Sequence, residues 1–167
     1  MLIKKKLNDA LNAQIVSELG ASSQYLKIAS YFAGESLHEL AEFFFRQSEE
    51  EREHAMKFVH YILEAGGDVQ IGAIEGAPAT IGSAVEAVKL ALDWELEVTR
   101  QINHLMDIAI EEKDYIGQDF LRWFVTEQLE EVSTMDELLT IVKRAGDNLF
   151  YVENYLSRRS DPHASAE

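Results

Sequence analysis

Four long stretches of this chain space their apolar residues with the period of an amphipathic helix, and no other feature constrains the fold as strongly. They run from about Lys5 to Ala33, from Ser36 to Ala65, from Ser83 to Glu112 and from Asp114 to Gly146. Each spans about 30 residues, which corresponds to a helix of roughly 45 Å. The chain has only two prolines in 167 residues, as expected for a mostly helical protein. The pattern predicts an all-α fold.

The connections between these segments predict how the helices are arranged. About three residues around Gly34 join the first two segments, and a similarly tight turn joins the last two, so each pair should be antiparallel. The link between the second and third segments, "GGDVQIGAIEGAPATIG", is about 17 residues long and reaches roughly 55 Å when extended. It can therefore run the length of the bundle and let helices two and three lie parallel. This predicts a four-helix bundle with one long crossover.

The rest of the chain adds little to this bundle, which covers about residues 5–145. The stretch "DNLFYVENYLSRR" predicts a short fifth helix over about residues 147–159, and the polar tail 160–167 is expected to be frayed. Ser36, three residues before Glu39, is predicted to cap the second helix. No composition shift marks a domain boundary, so residues 1–167 are predicted to form a single domain.

Composition excludes several classes of function. No cysteine is present, which rules out disulfides, thiolate metal sites and cysteine nucleophiles. No run of about 18 apolar residues predicts a membrane span, and the first residues do not resemble a signal peptide, so we expect a cytoplasmic protein. The net charge of −15 argues against binding nucleic acid. It fits either simple solubility or a surface that attracts cations.

The second segment contains the run "QSEEEREHAMKF". Its charged residues divide into those on the apolar stripe of the helix and those on the outer face. At about 100° per residue, Glu51 and His54 fall on the apolar stripe that also carries Phe58. Glu49 and Glu53 fall on the opposite, outer face. We therefore predict that only Glu51 and His54 point into the bundle.

The same test finds one inward carboxylate in each of the other long segments, near its middle: Glu18, Glu95 and Glu131. Glu127 and Gln128 lie on the same stripe as Glu131, one turn earlier. A buried carboxylate costs several kcal/mol unless it is paired or coordinated, and no inward Lys or Arg is available to pair with these. Divalent cations would satisfy the cluster, and its carboxylate and imidazole ligands suit iron, manganese or zinc.

Glu51 is the natural bridge between two such metals, because His54 follows it by one turn and can bind one of them. The other histidines of the helical segments do not compete for this role, since His38, His60 and His104 fall on outer faces. The residues alone therefore predict a dinuclear metal site.

The segments "NAQIVSELGASSQYL", "EEEREHAM", "DWELEVTRQIN" and "WFVTEQLEE" together resemble the non-haem bacterial ferritins, and the resemblance covers essentially the whole chain. It implies a ferritin-like four-helix bundle with a short C-terminal helix and a homo-oligomeric cage of 24 subunits. It also implies a ferroxidase centre that oxidises Fe(II) with O2 or H2O2, two irons at each centre, and storage of ferric mineral inside the cage.

The resemblance also assigns residues. It implies one iron bound by Glu18, Glu51 and His54, and a second bound by Glu51, Glu95 and Glu131 with Gln128 close by. Tyr25 matches the tyrosine beside the centre, a hydrogen-bond partner that can also supply an electron, so Tyr25, Glu51 and His54 are the predicted catalytic residues. Glu50, Glu127 and Glu130 match a third iron position, although flanking glutamates on so acidic a chain also occur by chance.

Departures from related families narrow the prediction. Bacterioferritins carry a second histidine where this chain has Glu131, and a haem-binding methionine where it has Arg52, so no haem is expected. Two alternatives stay open: a di-iron oxidase or peroxidase that keeps its metals and stores no iron, and a helical assembly protein without metal chemistry. Tyr31, Phe45 and the apolar residues of the final helix fit subunit contacts, but scattered apolar residues are also normal on monomers.

Overall fold

A computed structural model describes residues 2–77 and 80–158, and this part of the chain forms five helices without a strand. The helices are α1 (Lys5–Gly34), α2 (His38–Glu64), α3 (Ala84–Glu111), α4 (Tyr115–Ala145) and α5 (Phe150–Arg158). The predicted all-α bundle with a short C-terminal helix is confirmed. Residues 160–167, predicted to be frayed, lie outside the described part of the chain.

Side-chain caps set the starts of α3 and α4. The Ser83 hydroxyl accepts a hydrogen bond from the Glu86 backbone N–H at 3.1 Å, and the Glu86 carboxylate accepts one from Gly82 N–H at 2.8 Å. Asp114 accepts from the Gly117 N–H at 2.8 Å in the same way. Gly146, which follows α4, has φ of 56°, a conformation that glycine adopts readily. These boundaries lie within two residues of the predicted ones.

The turn between α1 and α2 has the predicted length but not the predicted cap. Ser36 has φ of 61°, and its N–H donates to the Ala33 carbonyl at 3.1 Å, so it belongs to the end of α1. The prediction that Ser36 caps α2 was therefore wrong. Instead, the two carboxylate oxygens of Glu153 on α5 accept the N–H groups of Glu39 and Leu40 at 3.0 and 2.9 Å. Backbone donors at the start of α2 are thus satisfied by the last helix of the chain.

The hairpin α1–α2 packs against the hairpin α3–α4, and the long link between α2 and α3 connects the two hairpins. Asn8 and Asn12 on α1 hold the start of this crossover: their side-chain amides donate to the Asp68 carbonyl at 3.0 and 2.8 Å. Their side-chain oxygens accept from the N–H groups of Asp68 and Gln70 at 3.1 and 2.7 Å. This arrangement lets α2 and α3 run parallel, as the length of the link predicted.

The apolar core of the bundle is divided into two halves. The first half-core includes Tyr25, Ile28, Phe32, Phe44, Val88, Leu138 and Val142, and lies at the end where α2 and α3 begin. The second half-core includes Leu7, Leu11, Ile15, Phe58, Ile62, Ile102, Leu121 and Phe124, and lies at the opposite end. The partly buried Trp94 packs against both. Every long helix contributes to both halves, so the apolar stripe of each helix is interrupted near its middle.

The C-terminal helix α5 lies across the end of the bundle beside the first half-core. Val152 is fully buried there, and the Tyr155 hydroxyl donates to Glu137 on α4 at 2.8 Å. The helix begins at Phe150, three residues later than the predicted start at 147. None of the described helices combines the length and the apolar character that crossing a membrane requires.

Candidate metal centre

A layer of buried polar side chains separates the two half-cores, and all four long helices contribute to it. This polar layer consists of Gln14 and Glu18 on α1, Glu51 and His54 on α2, Glu95 on α3, and Gln128 and Glu131 on α4. Each of these side chains is 7% exposed or less. The four inward carboxylates and the histidine inferred from helical periodicity therefore meet at one level of the bundle. Glu49, Arg52 and Glu53 of the same run are exposed.

Three members of the polar layer form a tight group of potential metal ligands. One ligand atom each from Glu18, Glu51 and His54 lies within 4.8 Å of the other two. The His54 Nδ1 is 3.5 Å from a Glu51 carboxylate oxygen. The His54 and Trp123 rings also pack in an edge-to-face arrangement, with ring centroids 5.4 Å apart. This is the set predicted for the first iron.

A second group has a different composition from the predicted one. Ligand atoms of His54, Glu127 and Glu131 lie within 4.8 Å of one another, whereas Glu51, Glu95 and Glu131 do not form such a group among the described residues. Glu95 instead accepts from the Tyr25 hydroxyl and, at 3.1 Å, from the Gln128 amide. Glu127, which is half-buried, is thus closer to the centre than its predicted role at a third site implies.

The electrostatics of the polar layer follow from burial and from like charges. Burial raises the pKa of Glu18, Glu51 and Glu131 well above the usual range, and the nearby carboxylates raise it further. Burial also raises the pKa of Glu95 to about 7, an effect that the hydrogen bond from Tyr25 opposes. Burial and Glu95 raise the pKa of Tyr25, so this phenol stays a donor. The layer therefore holds protons that a bound cation would displace.

The donor set fits a cation rather than an internal ion pair. No lysine or arginine among residues 2–77 and 80–158 is buried. The Glu18 Oε2 and the Gln128 Oε1 are buried oxygens without a hydrogen-bond partner. Buried acceptors that lack donors carry a desolvation cost, which a metal ion would remove. Carboxylate, amide and imidazole ligands are those of iron, manganese or zinc sites.

A model of the ferritin-like domain family matches residues 8–145 of this chain. Ferritin BfrB of Mycolicibacterium smegmatis is 42% identical over 153 residues, covering 92% of this chain and 84% of that protein. This chain belongs to the ferritin family. The bacterial non-heme ferritin of Bacteroides fragilis is 36% identical over 159 residues, covering 95% of this chain and all of that protein, 100%. The resemblance to non-haem bacterial ferritins is thereby confirmed.

Solved structures give the same result for the fold of this ferritin. An open pore ferritin from the archaeon Archaeoglobus fulgidus matches it with a TM-score of 0.90 and 33% identity, covering 95% of this chain and 99% of that chain. Family membership supports iron storage as the function, and the polar layer offers groups that could hold a metal.

The polar layer of this ferritin lies next to a cleft in the surface between α2 and α4. The cleft has a volume of about 400 Å³ and reaches His54. Its lining is Arg46, Glu49, Glu50, Glu53, His54, Lys57, Trp123 and Glu127. Two residues predicted for the third iron, Glu50 and Glu127, are half-buried on this lining, while Glu130 is exposed on α4. The structure thus brings Glu50 and Glu127 to one cleft but gives Glu130 no place on its lining.

Two buried glutamines beside the carboxylates were not predicted from the sequence, because a neutral amide on an apolar stripe leaves no uncompensated charge to mark it. Gln14 donates its amide to Glu18 Oε1 at 3.0 Å, and Gln47 donates to Glu50 at 2.5 Å. Both amides are buried. Their spacings of four and three residues from the glutamates place each pair on one helix face, and that signal was available. Together with Gln128, they give three carboxylates of this ferritin an amide donor each.

Proposed function

We propose that this ferritin binds two Fe(II) ions in its polar layer, oxidises them with O2 or H2O2, and stores the ferric product inside a cage of identical subunits. The observation that supports this most directly is the meeting of four buried carboxylates and one imidazole, while none of the described lysines and arginines is buried beside them. A site of this composition is costly without metal and becomes favourable with it.

In this proposal, Glu18, Glu51 and His54 bind the first Fe(II), and Glu51 also reaches the second. Glu95 and Glu131 bind the second Fe(II), with Gln128 close by. Glu95 can turn one oxygen to the ion by releasing the Gln128 amide while it keeps the bond from Tyr25. Anionic oxygen ligands bind the harder Fe(III) more strongly than Fe(II), so these residues favour oxidation.

The two ions together supply two electrons. With two protons, these reduce O2 to H2O2 or H2O2 to two water molecules. While the two irons supply both electrons, Tyr25 stays protonated and orients Glu95 through its hydroxyl. Where Tyr25 supplies an electron in place of one from iron, its phenolic proton passes to Glu95. The apolar half-cores on either side limit access of water to the polar layer, which strengthens its electrostatic interactions.

We propose that the oxidised iron leaves through the cleft, since Glu127 belongs both to the cleft lining and to the group that contains His54 and Glu131. Glu50 and Glu130, predicted with Glu127 to hold a third iron, would then bind iron on its way out through the cleft. Arg52 stands where a haem-binding methionine would be needed, so we expect no haem.

Assembly is the remaining part of the proposal: a single ferritin-like domain spanning residues 1–167, in a cytoplasmic homo-oligomer of 24 subunits. Large apolar side chains at the surface support subunit contacts. Tyr115, Phe150 and Tyr151 are 74%, 76% and 69% exposed in the single subunit. Contact with a neighbouring subunit would remove this apolar surface from water. Size-exclusion chromatography tests this point, and a species near 18.9 kDa would contradict the cage.

The test of storage is aerobic addition of many Fe(II) equivalents per subunit, followed by ultraviolet absorbance and sedimentation of the product. We expect a soluble ferric core to co-sediment with the protein. Glu51→Gln should slow oxidation strongly, because the bridging ligand is lost. Asp107→Asn, an exposed acid on α3, is the matched control and should oxidise iron at the original rate.

Two other outcomes separate the alternatives. Oxidation of only about two Fe(II) per subunit, without a soluble core, would favour a di-iron oxidase or peroxidase over storage. Iron oxidation that is unchanged in Glu51→Gln would remove the ferroxidase centre from the proposal altogether.

A further inference from the structure

Gln14 is a buried amide that the metal-ligand assignment does not use. It lies on α1 one helical turn before Glu18, and 3% of its surface is exposed. Its Nε2 donates to the Glu18 Oε1 at 3.0 Å, and both side chains are buried. Burying a glutamine amide costs free energy unless its polar atoms are hydrogen-bonded, and the hydrogen bond to Glu18 offsets part of that cost.

The contact makes the two oxygens of Glu18 different from one another. Oε1 accepts the amide N–H, whereas the buried Oε2 has no amide or backbone donor, and Glu18 interacts instead with the neighbouring Glu51 carboxyl. Glu18 also contributes a ligand atom to the group with Glu51 and His54. A carboxylate whose one oxygen is held by a donor is fixed in rotation and presents the other oxygen to a metal.

We propose that Gln14 is a positioning residue that fixes Glu18 as a one-oxygen ligand of the first metal ion and thereby tightens binding of that ion. This inference rests on the proposed function, because it requires Glu18 to bind metal. It adds a residue outside the ligand set, which acts through Glu18 and does not touch the ion.

The contact does not hold two elements of the bundle together. Gln14 and Glu18 lie on the same helix, so their hydrogen bond joins no two elements of the bundle. Gln24, also on α1 and buried, provides the contrast: its amide donates to the Leu90 carbonyl at 3.2 Å and so ties α1 to α3. Gln24 stabilises packing, whereas the bond from Gln14 orients one carboxylate.

Calorimetric titration of the metal-free, full-length protein with Co(II) under fixed pH tests the inference. In Gln14→Leu we expect the tightest Co(II) to bind about 10- to 100-fold more weakly, the range found when a group that orients a metal ligand is lost. Gln24→Leu is the matched control, with an expected loss of thermal stability but an unchanged Co(II) affinity. Gln14→Met, close in size and without a donor, repeats the test if the leucine variant folds poorly.

The decisive measurement is the double variant. If Gln14 acts through Glu18, then Gln14→Leu should weaken Co(II) binding no further in a Glu18→Ala background. An equal, additive loss in that background would overturn the inference. So would an unchanged affinity in Gln14→Leu when Glu18→Ala alone weakens binding, and in that case the proposed centre would stand. Unchanged affinity in Glu18→Ala would instead refute the centre itself, and the inference with it.

Discussion

At the scale of single residues, direction on the helix decides the role of a charge in this ferritin. Glu49, Glu51 and Glu53 are chemically identical and lie within one turn and a half of α2. Only Glu51 is buried, at 2% exposed, and only it contributes to a ligand group. Chemical type alone would have assigned all three residues to the site or all three to the surface.

Glu51→Gln should raise the stability of the metal-free protein while it weakens metal binding. At neutral pH the metal-free protein must either protonate Glu51 or keep its charge in the core, and glutamine avoids both costs. We therefore expect a gain of about 1 to 3 kcal/mol in the free energy of unfolding. Thermal melting in a chelating buffer measures it. Glu53→Gln, on the exposed face of the same helix, should change stability by less than about 0.5 kcal/mol. A metal-free Glu51→Gln that melts below the original protein would show that the charge is satisfied without metal.

The polar layer should also make the metal-free protein less stable as pH rises. The folded-state pKa of Glu95 is raised from 4.5 to about 7, so its contribution to stability is fully present below pH 4.5 and is lost as pH rises to about 7. At about 1.4 kcal/mol for each pH unit, this amounts to about 3 kcal/mol.

Melting curves of the metal-free protein and of Glu95→Gln across this pH range measure the effect. The variant should lose less stability than the original protein between pH 4.5 and 7. Parallel curves for the two proteins would show that Glu95 titrates at its ordinary value. Metal affinity should change in the opposite direction, rising with pH, since the ligands must lose their protons to bind.

At the scale of helices and turns, the sequence predicts well what is encoded locally. The apolar period, the two tight turns and the helix starts near Ser83 and Asp114 are all set by residues within a few positions of one another. The position of the carboxylates on their stripes is local in the same sense. The start of α2 is different, because its acceptor, Glu153, lies 113 residues beyond Leu40 in the chain. No local pattern could have identified it.

Glu153→Ala should destabilise the start of α2, because the N–H groups of Glu39 and Leu40 lose their acceptor. A lost helix cap costs about 1 kcal/mol, and the loosened docking of α5 adds to it. Thermal melting should therefore show a clear loss for this variant. Asn154→Ala, at the next, exposed position of α5, is the control and should be close to neutral. Equal stability of the two variants would mean that the carboxylate contact contributes nothing.

The amides around the centre mark another limit of prediction from sequence. A buried carboxylate is conspicuous because an uncompensated charge is costly, and the helical period then locates it. Gln14 and Gln47 are neutral, and a neutral polar residue on an apolar stripe has many uses. Their spacing from Glu18 and Glu50 is visible in the sequence, but only burial and distances select the contact with the glutamate from those other uses. The regrouping of Glu127 with His54 likewise depends on side-chain geometry, which periodicity does not contain.

At the scale of the whole molecule, the crossover between the two hairpins depends on the close approach of Gly67 to the Asn8 side chain. A Cβ added at Gly67 would collide with the Asn8 Oδ1 and would lie 2.9 Å from the Ile62 Cγ2. Gly67→Ala should therefore displace the side chain that holds the crossover, at about 1 to 3 kcal/mol. Gly34→Ala is the matched control, because nothing lies within 4 Å of its added Cβ. Within α1 that change should stabilise by up to about 1 kcal/mol. Thermal melting distinguishes the two, and similar melting temperatures would contradict this account.

The division of the core has a consequence for the size of the protein. In α2, the ligand-bearing turns occupy residues 47–54, and residues 38–46 and 55–64 remain to build a half-core on either side. Each remainder is close to the length of an average helix in a globular protein, about 11 residues. A shortened bundle that kept every ligand would lose one of its two apolar anchors, and the carboxylates would then lie at an open end in water. The length of these helices is therefore required to bury the polar layer, and a shorter bundle would leave its carboxylates in contact with water.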